Sequence, residues 1–588
     1  MTTILGRSYG RALGLAVWCA VLSSCAASHP YYPVTERARP LTAMDASEVR
    51  VAPAAARNVG FDRIRNARNE PQNWLTYYGS YSGQRYSALD QINAGNVRTL
   101  RPAWVFQAGV IGLIATPASY AFEAAPIVVD GVMYVTGWDG YIWALDAATG
   151  RVFWRYRHAV PLDVPLCCGN VNRGAAVAHG KVFFATPHGH LVALDAATGR
   201  QAWDQVFIDV RAGESATMAP LVVKNLVIAG SSGGEYGVRG HLDAFDIETG
   251  RHVWRRYTVP KPGEPGSETW SGDAWARGGG STWITGTYDP ELDLVFWGTG
   301  NPSPDFDAAA RPGANLYTNS VLAIDPDDGT IRWHYQFTPN DVWDFDGVNE
   351  NILFDQDGRR LLAHFDRNGY LYILDRTNGR LVRTVRFADR VTWGDVDVAT
   401  GRVTVRLTPT PGGTKICPSP SGAKEWPHAA YSPGTGWLYV PVIEKCGTYK
   451  TRAQEFREGM AYWGGEAQAD TSARDSWGYV RAIDPATGRQ VWSYRAEHPM
   501  VASVLATAGN VVFTGEPTGE FIALDARTGE LLWRFQTGSG IHSNPVTYSV
   551  NGRQYVAVAS GWGGWMKGFA PELYGQNRGS ALFAFALP

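Results

Sequence analysis

The chain has 588 residues, a formal net charge of −2 and a pI of about 6.6, with 53 Lys and Arg against 55 Asp and Glu. Because the basic residues are scattered rather than clustered, these numbers argue against a nucleic-acid-binding surface. A hydrophobic content of 45%, an aromatic content of 12% and 66 glycines instead indicate a globular β protein rich in turns.

The first 24 residues have the features of a bacterial lipoprotein signal peptide. Arg7 and Arg11 precede a short apolar stretch, residues 13–22, that is too short to span a bilayer. Small residues then lead to Cys25, which resembles the cysteine that receives a lipid in such proteins. An ordinary signal peptide followed by an incidental cysteine is the alternative, and both interpretations predict export. We expect lipidation at Cys25 and a periplasmic protein that is held to the membrane through this lipid only.

Residues 25–70 begin with a stretch rich in Pro and Ala and are predicted to be a tether, so residues 71–588 form the main domain. Export also decides the cysteine chemistry, because disulfides persist in oxidising compartments. Outside the signal peptide and Cys25, four of the six cysteines remain. We predict that they form the pairs Cys167–Cys168 and Cys417–Cys446.

The first pair is unusual because its two cysteines are neighbours in the chain. A disulfide between Cys167 and Cys168 would span no loop, so it would gain almost none of the stability that comes from constraining the unfolded chain. It would instead present a small, strained and flat hydrophobic surface. We interpret the pair as a surface for a flat ligand.

One phrase, Ala-Leu-Asp-x-x-Thr-Gly-x-x-x-Trp, dominates the chain. Copies with minor changes begin at Ala144, Ala193, Ala244, Ala323, Ala482 and Ala523, and a seventh at Ile373 has lost its Trp. Each copy reads as a strand, a turn in which Asp caps and Gly takes a positive φ, and a second strand. The repeated Trp is interpreted as a packing residue between neighbouring repeats.

A repeat spacing of about 50 residues is typical of one supersecondary unit per period. Four strands per unit, arranged radially, predict an all-β fold, an eight-bladed β-propeller with tryptophan-docking repeats. The interval between Asp375 and Asp484 is about two periods, so we expect a degenerate blade there. We expect the last strand, residues 580–587, to close the ring with the N-terminal segment. The interval between Asp246 and Asp325 is predicted to hold an insertion.

Six segments carry polar or charged residues that packing does not require. They are residues 167–173, 231–240, 270–283, 298–304, 343–347 and 366–369. Among them, Glu235, Asn301, Asp344 and Asp346 offer only oxygen donors, and such donors select a hard cation such as Ca²⁺ or a lanthanide. Each acid alone would be read as a solvated turn residue. Their joint occurrence in Gly-rich segments favours a metal site.

These segments make the chain similar to the pyrroloquinoline quinone (PQQ)-dependent alcohol dehydrogenases, the family of the methanol dehydrogenase large subunits. The resemblance runs from about Trp74 to the C-terminus. In that family PQQ lies between a vicinal disulfide and a tryptophan, which implies Cys167–Cys168 and Trp283 here. The family's second disulfide matches Cys417–Cys446. Other positions that match cofactor contacts are Glu123, Arg173, Thr217, Ser232, Gly233, Gly234, Ser281, Arg367 and Trp565.

The resemblance also implies roles in catalysis. Glu235 and Asn301 would bind the metal, Asp344 would be the general base, and Arg367 would donate to the quinone oxygens. The implied reaction is oxidation of an alcohol to an aldehyde by hydride transfer to metal-bound PQQ, with the metal as Lewis acid. Because a cation would flank Asp344, we expect a lowered pKa for this base.

Asp346 bears on the identity of the metal. Lanthanide-using members of the family resemble this chain in carrying an extra Asp two residues after the base. A further carboxylate would balance a trivalent ion, so we favour a lanthanide over Ca²⁺. The alternative is that Asp346 only caps the turn before Gly347.

Partners follow from the same resemblance. The chain has no Cys-x-x-Cys-His sequence, so we expect no fused haem domain and a separate cytochrome c as electron acceptor. We expect a small alcohol as substrate, and a homodimer is an assembly that we leave open. Two other functions are considered: a non-catalytic scaffold lipoprotein built from the same repeat, and a quinoprotein that oxidises sugars or polyols. A scaffold would need neither the cysteine pair nor the constellation of Glu235, Asn301, Asp344 and Arg367.

Overall fold

The structure, a computed structural model, describes residues 51–53, 58–108, 121–161, 163–164, 166–564, 570, 573 and 579–588. The predicted signal peptide, the lipidation at Cys25, most of the tether and Trp565 lie outside these residues. Within the described part of the chain, no helix is both long enough and apolar enough to cross a membrane.

Most of the described chain forms antiparallel sheets of four strands, numbered here along the sequence. The first three sheets consist of β3 (Ile127–Val129), β4 (Val132–Thr136), β5 (Tyr141–Asp146) and β6 (Val152–Arg157); β7 (Ala176–Ala178), β8 (Lys181–Ala185), β9 (His190–Asp195) and β10 (Gln201–Val206); and β11 (Leu221–Val223), β12 (Leu226–Gly230), β13 (His241–Asp246) and β14 (His252–Tyr257). The fourth and fifth consist of β15 (Thr287–Asp289), β16 (Leu294–Gly298), β17 (Ser320–Ile324) and β18 (Ile331–Gln336); and β19 (Asn351–Gln356), β20 (Arg359–Phe365), β21 (Tyr370–Asp375) and β22 (Arg380–Arg386).

Three more sheets complete the series. The sixth consists of β26 (Ala430–Ser432), β27 (Trp437–Glu444), β30 (Trp477–Ile483) and β31 (Gln490–Ala496); the seventh of β32 (Leu505–Thr507), β33 (Val511–Gly515), β34 (Glu520–Asp525) and β35 (Leu531–Gln536), with β1 (Tyr86–Ser87) added in parallel to β32; and the eighth of β36 (Val546–Val550), β37 (Arg553–Ser560), β38 (Ala581–Ala586) and β2 (Arg101–Gln107). The number of these sheets equals the predicted number of blades.

Helical structure is minor among the described residues. One short α-helix, α1, spans Phe61–Arg65. Single 3₁₀ turns occur at Ala67–Asn69, Val97–Thr99, Val210–Ala212, Gly234–Tyr236, Ser267–Thr269, Ala274–Arg277, Ala308–Ala310 and Ala473–Asp475.

The repeated phrase forms the last hairpin of a sheet, as predicted. In the first sheet, Asp146 Oδ1 accepts hydrogen bonds from the backbone N–H groups of Ala148 at 2.9 Å and Thr149 at 3.0 Å. Gly150 follows with a φ of 73°, which an L side chain rarely adopts. The turn is therefore stabilised by its own sequence.

The repeated Trp joins one sheet to the next. Trp154 Nε1 donates to the carbonyl oxygen of Ala196 at 3.0 Å, in the turn of the following sheet. A Cβ on Gly199 of that turn would lie 2.7 Å from the indole ring, so only glycine leaves room for it. Trp203 and Trp492 repeat the contact, donating to Ile247 and Ala526. The interpretation of these tryptophans as packing residues between repeats is confirmed.

The ring closes between the two ends of the domain. β2 pairs with β38 in antiparallel register, with Arg101 opposite Ala586 and Gln107 opposite Ala581. The predicted closure by the last strand is confirmed.

The predicted degenerate blade between Asp375 and Asp484 is wrong. That interval contains β22, the first three strands of the sixth sheet and two small sheets, β23 (Gly394–Val396) with β24 (Val403–Val405), and β25 (Thr414–Ile416) with β28 (Gly447–Thr451) and β29 (Gly465–Ala469). The two small sheets are therefore an insertion and not a blade. The blade without a copy of the phrase is the eighth sheet, which closes the ring.

Candidate active site

The predicted site residues come from loops of successive sheets. In each sheet the first strand begins and the second strand ends at the same end of the sheet, because the two are antiparallel. Thr217 precedes β11 and Glu235 follows β12. Asp344 precedes β19 and Arg367 follows β20. This repeated geometry brings side chains that are distant in sequence to one end of the ring.

These loops enclose a cavity of about 210 Å³. The predicted residues that line it are Glu123, Cys167, Cys168, Arg173, Thr217, Ser232, Gly233, Glu235, Trp283, Asp344, Asp346 and Arg367. Asn301, Gly234 and Ser281 lie next to it: the atom positions place a Cβ on Gly234 3.4 Å from Ser281 Oγ and 3.7 Å from Asn301 Oδ1. The structure thus brings together every predicted site residue that it describes.

One of the two predicted disulfides is present. Cys417–Cys446 is a disulfide, and the sulfur atoms of Cys167 and Cys168 lie 2.7 Å apart without a bond between them. A disulfide needs a separation of about 2.05 Å and usually joins Cα atoms more than about 4.4 Å apart. Neighbouring Cα atoms are held about 3.8 Å apart by the peptide unit, so closing this ring strains the backbone. Both cysteines nevertheless line the cavity.

We expect Cys167 and Cys168 to become linked when the purified protein is oxidised, because their sulfurs are already in contact. Alkylation of the unfolded protein, followed by peptide mass spectrometry, would show both residues unmodified. Mild reduction would release this pair before Cys417–Cys446, since strained disulfides are more easily reduced. A Cys168→Ser variant should leave Cys167 fully alkylated. Full alkylation of both residues in the oxidised protein would contradict the prediction.

Oxygen donors converge beside the cysteines. Asp346 is buried, and its Oδ1 accepts a hydrogen bond from the backbone N–H of Asn301 at 2.8 Å. Its Oδ2 accepts one from Trp283 Nε1 at 3.3 Å. The side-chain oxygen Oδ1 of Asn301 and Oδ1 of Asp305 are buried and have no hydrogen-bond partner among the described residues. Buried acceptors without partners are costly, so these atoms fit a bound cation.

Asp346 does not cap its own turn. Its carboxylate instead connects three other loops, through Asn301, Trp283 and, at 3.5 Å, Arg367 Nη1. Burial together with the charge of Glu235 raises the pKa of Asp346 to about 7, against the opposing effect of Arg367. A cation among these groups would favour the ionised form and reverse that shift.

Asp344 lies next to the same group of acids. Arg367 Nη1 is 3.5 Å from Asp344 Oδ1 and donates to the Asp344 carbonyl oxygen at 2.9 Å. The predicted lowering of the Asp344 pKa depends on a bound cation and stays a prediction. Burial, with the like charges of Asp346, Asp305 and Glu235, raises the pKa of Asp344 well above its ordinary value despite Arg367. Desolvation outweighs the nearby cation, which the sequence could not reveal.

Arg367 is held in place by a residue for which the sequence suggested no role. Its Nη2 donates to Glu425 Oε1 in an ion pair that is buried on both sides. Although burial opposes the charge, Glu425, Asp346 and Asp344 together raise the pKa of Arg367. The guanidinium is therefore a fixed positive charge beside the acids.

A second arginine occupies the aromatic part of the cavity. The Arg173 guanidinium lies 4.9 Å from the ring centre of Trp283 and 4.7 Å from that of Trp426. Its Nε is 3.2 Å from Glu123 Oε2, but Nε and Nη1 are buried without a hydrogen-bond partner in the described part of the chain. Glu123 is anchored in turn by the backbone N–H of Gly564, at 2.6 Å. Arg173 Nη1 thus presents a free donor beside indole rings, as an anionic planar ligand would require.

Small polar groups line or adjoin the cavity. Thr217 Oγ1 lies 3.2 Å from Ser232 Oγ and 3.5 Å from the carbonyl oxygen of Trp283. Ser281 Oγ is buried, with no partner among the residues that the structure describes. Gly233 has a φ of 107°, and a Cβ there would lie 2.3 Å from the carbonyl oxygen of Gly213. Only glycine can occupy this position, which lets the backbone approach the cavity.

The cavity residues that were missed include Asp305, Glu425, Trp426 and His542. Asp305 follows the Gly-rich segment of Asn301 directly, so its position in the sequence was a usable signal. Glu425 and Trp426 lie outside the six segments that carry the predicted site residues. Trp565, in contrast, lies outside the described residues.

Comparison with known proteins gives a consistent result. Residues 74–392 match the family described as "Glucose/ethanol/alcohol dehydrogenase, beta-propeller domain", and residues 476–563 match "Outer membrane protein assembly factor BamB". The quinoprotein alcohol dehydrogenase PedH of Pseudomonas putida is 40% identical, over 94% of this chain and 97% of that protein. A lanthanide-dependent methanol dehydrogenase of Methylorubrum extorquens is 37% identical, over 92% and 95%. A solved europium-containing methanol dehydrogenase superposes with a TM-score of 0.83 at 35% identity, over 90% of this chain and 100% of that one.

Proposed function

The chain belongs to the PQQ-dependent alcohol dehydrogenase family, and from this membership we propose that it oxidises an alcohol to an aldehyde with PQQ and one metal ion as cofactors. The observation that carries the proposal is the cavity itself. It combines an acidic cluster, a fixed arginine, indole rings and a pair of cysteines in one enclosed space.

The aromatic part of the cavity fits PQQ, a planar and polyanionic quinone. Trp283 and Trp426 offer indole rings, and Arg173 Nη1 offers a donor that has no hydrogen-bond partner among the described residues. Thr217, Ser232 and Ser281 add hydroxyl groups at the edge. Such a combination of flat apolar walls and a few polar groups is typical of cofactor sites.

The acidic part of the cavity fits a hard cation. Glu235, Asn301, Asp344 and Asp346 are the proposed ligands, and Asp305 adds a further carboxylate nearby. All of these donors are oxygens, which are the ligands that Ca²⁺ and lanthanides prefer. Zinc and copper sites rarely consist of oxygen ligands alone. The carboxylates of this region carry more negative charge than Arg367 can balance, and this excess favours a highly charged ion.

PQQ, when bound, supplies the acceptor for the two electrons that leave the alcohol. Asp344 is proposed to accept the hydroxyl proton of the alcohol on a carboxylate oxygen. Arg367 keeps a permanent positive charge at this place and fixes Asp344 through its backbone carbonyl oxygen. Glu425 orients Arg367 through an ion pair that is buried on both sides.

Electron transfer and location are further parts of the proposal. The sequence contains no Cys-x-x-Cys-His, so we infer a separate cytochrome c as acceptor. The signal-like segment before Cys25 supports a periplasmic location. Lipidation of Cys25 and dimer formation stay predictions, for which mass analysis of the mature N-terminus and sedimentation velocity are the measurements.

Reconstitution tests the function directly. Purified protein would be incubated with PQQ and either Ca²⁺ or La³⁺, and reduction of a dye would be followed with primary alcohols, secondary alcohols, polyols and sugars. We expect activity that requires both PQQ and metal, with the highest kcat/KM on alcohols. Protein without PQQ is the control. Bound PQQ without activity on any substrate would disprove the enzyme proposal, and absence of PQQ binding would favour a scaffold.

A further inference from the structure

Three histidines lie together outside the cavity, at one end of the first two sheets. His158 follows β6, His188 lies in the turn between β8 and β9, and His190 begins β9. Each offers a ring nitrogen, and these ligand atoms all lie within 4.8 Å of one another. The ring centres are 4.4 to 5.0 Å apart. Such spacing is close to what one shared metal ion requires.

A carboxylate holds two of the three rings. Asp204, on β10, accepts from His190 Nδ1 at 2.8 Å and lies 3.2 Å from His158 Nε2. Burial would raise the pKa of Asp204, but the hydrogen bonds with His158 and His190 outweigh it and lower the pKa. An ionised Asp204 fixes a proton on the nitrogen that faces it in each ring. The opposite nitrogens, His158 Nδ1 and His190 Nε2, are then left with free lone pairs.

The third ring, His188, is the most buried of the three, and one of its nitrogens has no hydrogen-bond partner among the described residues. His188 is 8% exposed, and its Nδ1 is buried without a hydrogen-bond partner among the described residues. The same is true of His158 Nδ1. Packing of the rings alone does not explain two buried nitrogens without partners, because each one costs free energy.

We propose that His158, His188 and His190 form a binding site for a divalent transition-metal ion of the zinc type, with Asp204 as the carboxylate that orients two of the ligands. Three imidazole ligands suit Zn²⁺, Cu²⁺ or Ni²⁺ and are poor ligands for Ca²⁺ or lanthanides. Tetrahedral coordination with bonds of about 2.1 Å places ligand atoms roughly 3.4 Å apart. Side-chain rotations that move the ring nitrogens by about an ångström would therefore bring them to bonding distance of one ion. This site therefore selects a different metal from the oxygen-lined cavity.

The position of the site suggests what the ion would do. His158 belongs to the end of the first sheet, whereas His188, His190 and Asp204 belong to the second. The segment that follows His158 leads to Cys167 and Cys168. A metal bound to all three histidines would join the two sheets and fix the start of this segment.

Titration calorimetry with Zn²⁺ tests the proposal on the purified full-length protein, loaded with its cofactors and cleared of transition metals on a chelating resin. We expect one equivalent of Zn²⁺ to bind to the unmodified protein. His188→Asn should weaken this binding by more than 10-fold, and Asp204→Asn by about 10- to 100-fold. Co²⁺ should give visible absorption bands of a four-coordinate ion in the unmodified protein and lose them in His188→Asn.

His179→Asn is the matched control, because His179 lies in the same sheet and contacts Glu248 instead of the cluster. It should bind Zn²⁺ like the unmodified protein. Circular dichroism of every variant would show that the fold is intact. The proposal fails if the unmodified protein takes up no Zn²⁺, if His188→Asn binds it equally well, or if His179→Asn loses binding to the same extent.

Discussion

Replacement of Asp344 by Asn is expected to abolish alcohol oxidation while PQQ stays bound. General-base groups contribute about 10²- to 10⁴-fold to rate, and an amide cannot accept the hydroxyl proton. Asn preserves the size of the side chain and tolerates the left-handed backbone at this position, where φ is 61°. Loss of activity would therefore report chemistry rather than misfolding. The measurements are kcat with a dye acceptor and the PQQ content after extraction.

Asp357→Asn provides the matched control for this variant. Asp357 has a φ of 51° and lies exposed in the turn between β19 and β20, away from the cavity. Its activity should equal that of the unmodified protein. If Asp344→Asn keeps turnover within about 10-fold of the unmodified protein, a smaller loss than a general base implies, then the base is a different group.

Replacement of Asp346 by Asn is expected to change the metal preference. The carboxylate is buried among Glu235, Asp305 and Asp344, and Arg367 offsets only part of their charge. In surroundings of effective dielectric about 20, one unit of charge at about 4 Å is worth about 4 kcal/mol. This attraction is proportional to the charge of the ion. Removing the Asp346 charge therefore costs a trivalent ion about one such unit more than it costs a divalent ion. We expect the ratio of La³⁺- to Ca²⁺-supported activity to fall by an order of magnitude or more.

The Asp346→Asn variant separates charge from structure. The amide oxygen of the new side chain can still accept the hydrogen bond that Asp346 Oδ1 receives from Asn301. Asp346→Ala, which removes both charge and hydrogen bond, should lose La³⁺-supported activity at least as strongly. Activity of the unmodified protein with Ca²⁺ but not with La³⁺ would refute the lanthanide assignment.

Much of the fold was predictable because its signals are local. The Asp and Gly of each turn act within a few residues, as Asp146 and Gly150 illustrate. The Trp that follows packs on the next copy of the same turn, so a single motif specifies both the hairpin and its neighbour. The error over the interval from Asp375 to Asp484 arose because spacing alone cannot distinguish a degenerate repeat from an insertion.

The candidate site was predictable only in part. Its residues were named through resemblance, and those that are described do lie around one cavity. Asp305 was missed although it adjoins a recognised segment, and Glu425 was missed because its partner Arg367 is far away in sequence. The histidine cluster was missed, since His158 meets His188 and His190 only when two sheets stand side by side.

The sequence by itself determined the repeat, the ring of sheets and the residue types of the site, because turn geometry and strand patterns act over short distances. The tertiary structure alone decided how those residues behave. Burial beside Asp346 and Asp305 raises the pKa of Asp344 despite Arg367, and we expect the sum of charges in the cavity to set the preferred ion. Desolvation and charge repulsion depend on distances between loops of different sheets, and no local pattern encodes those distances.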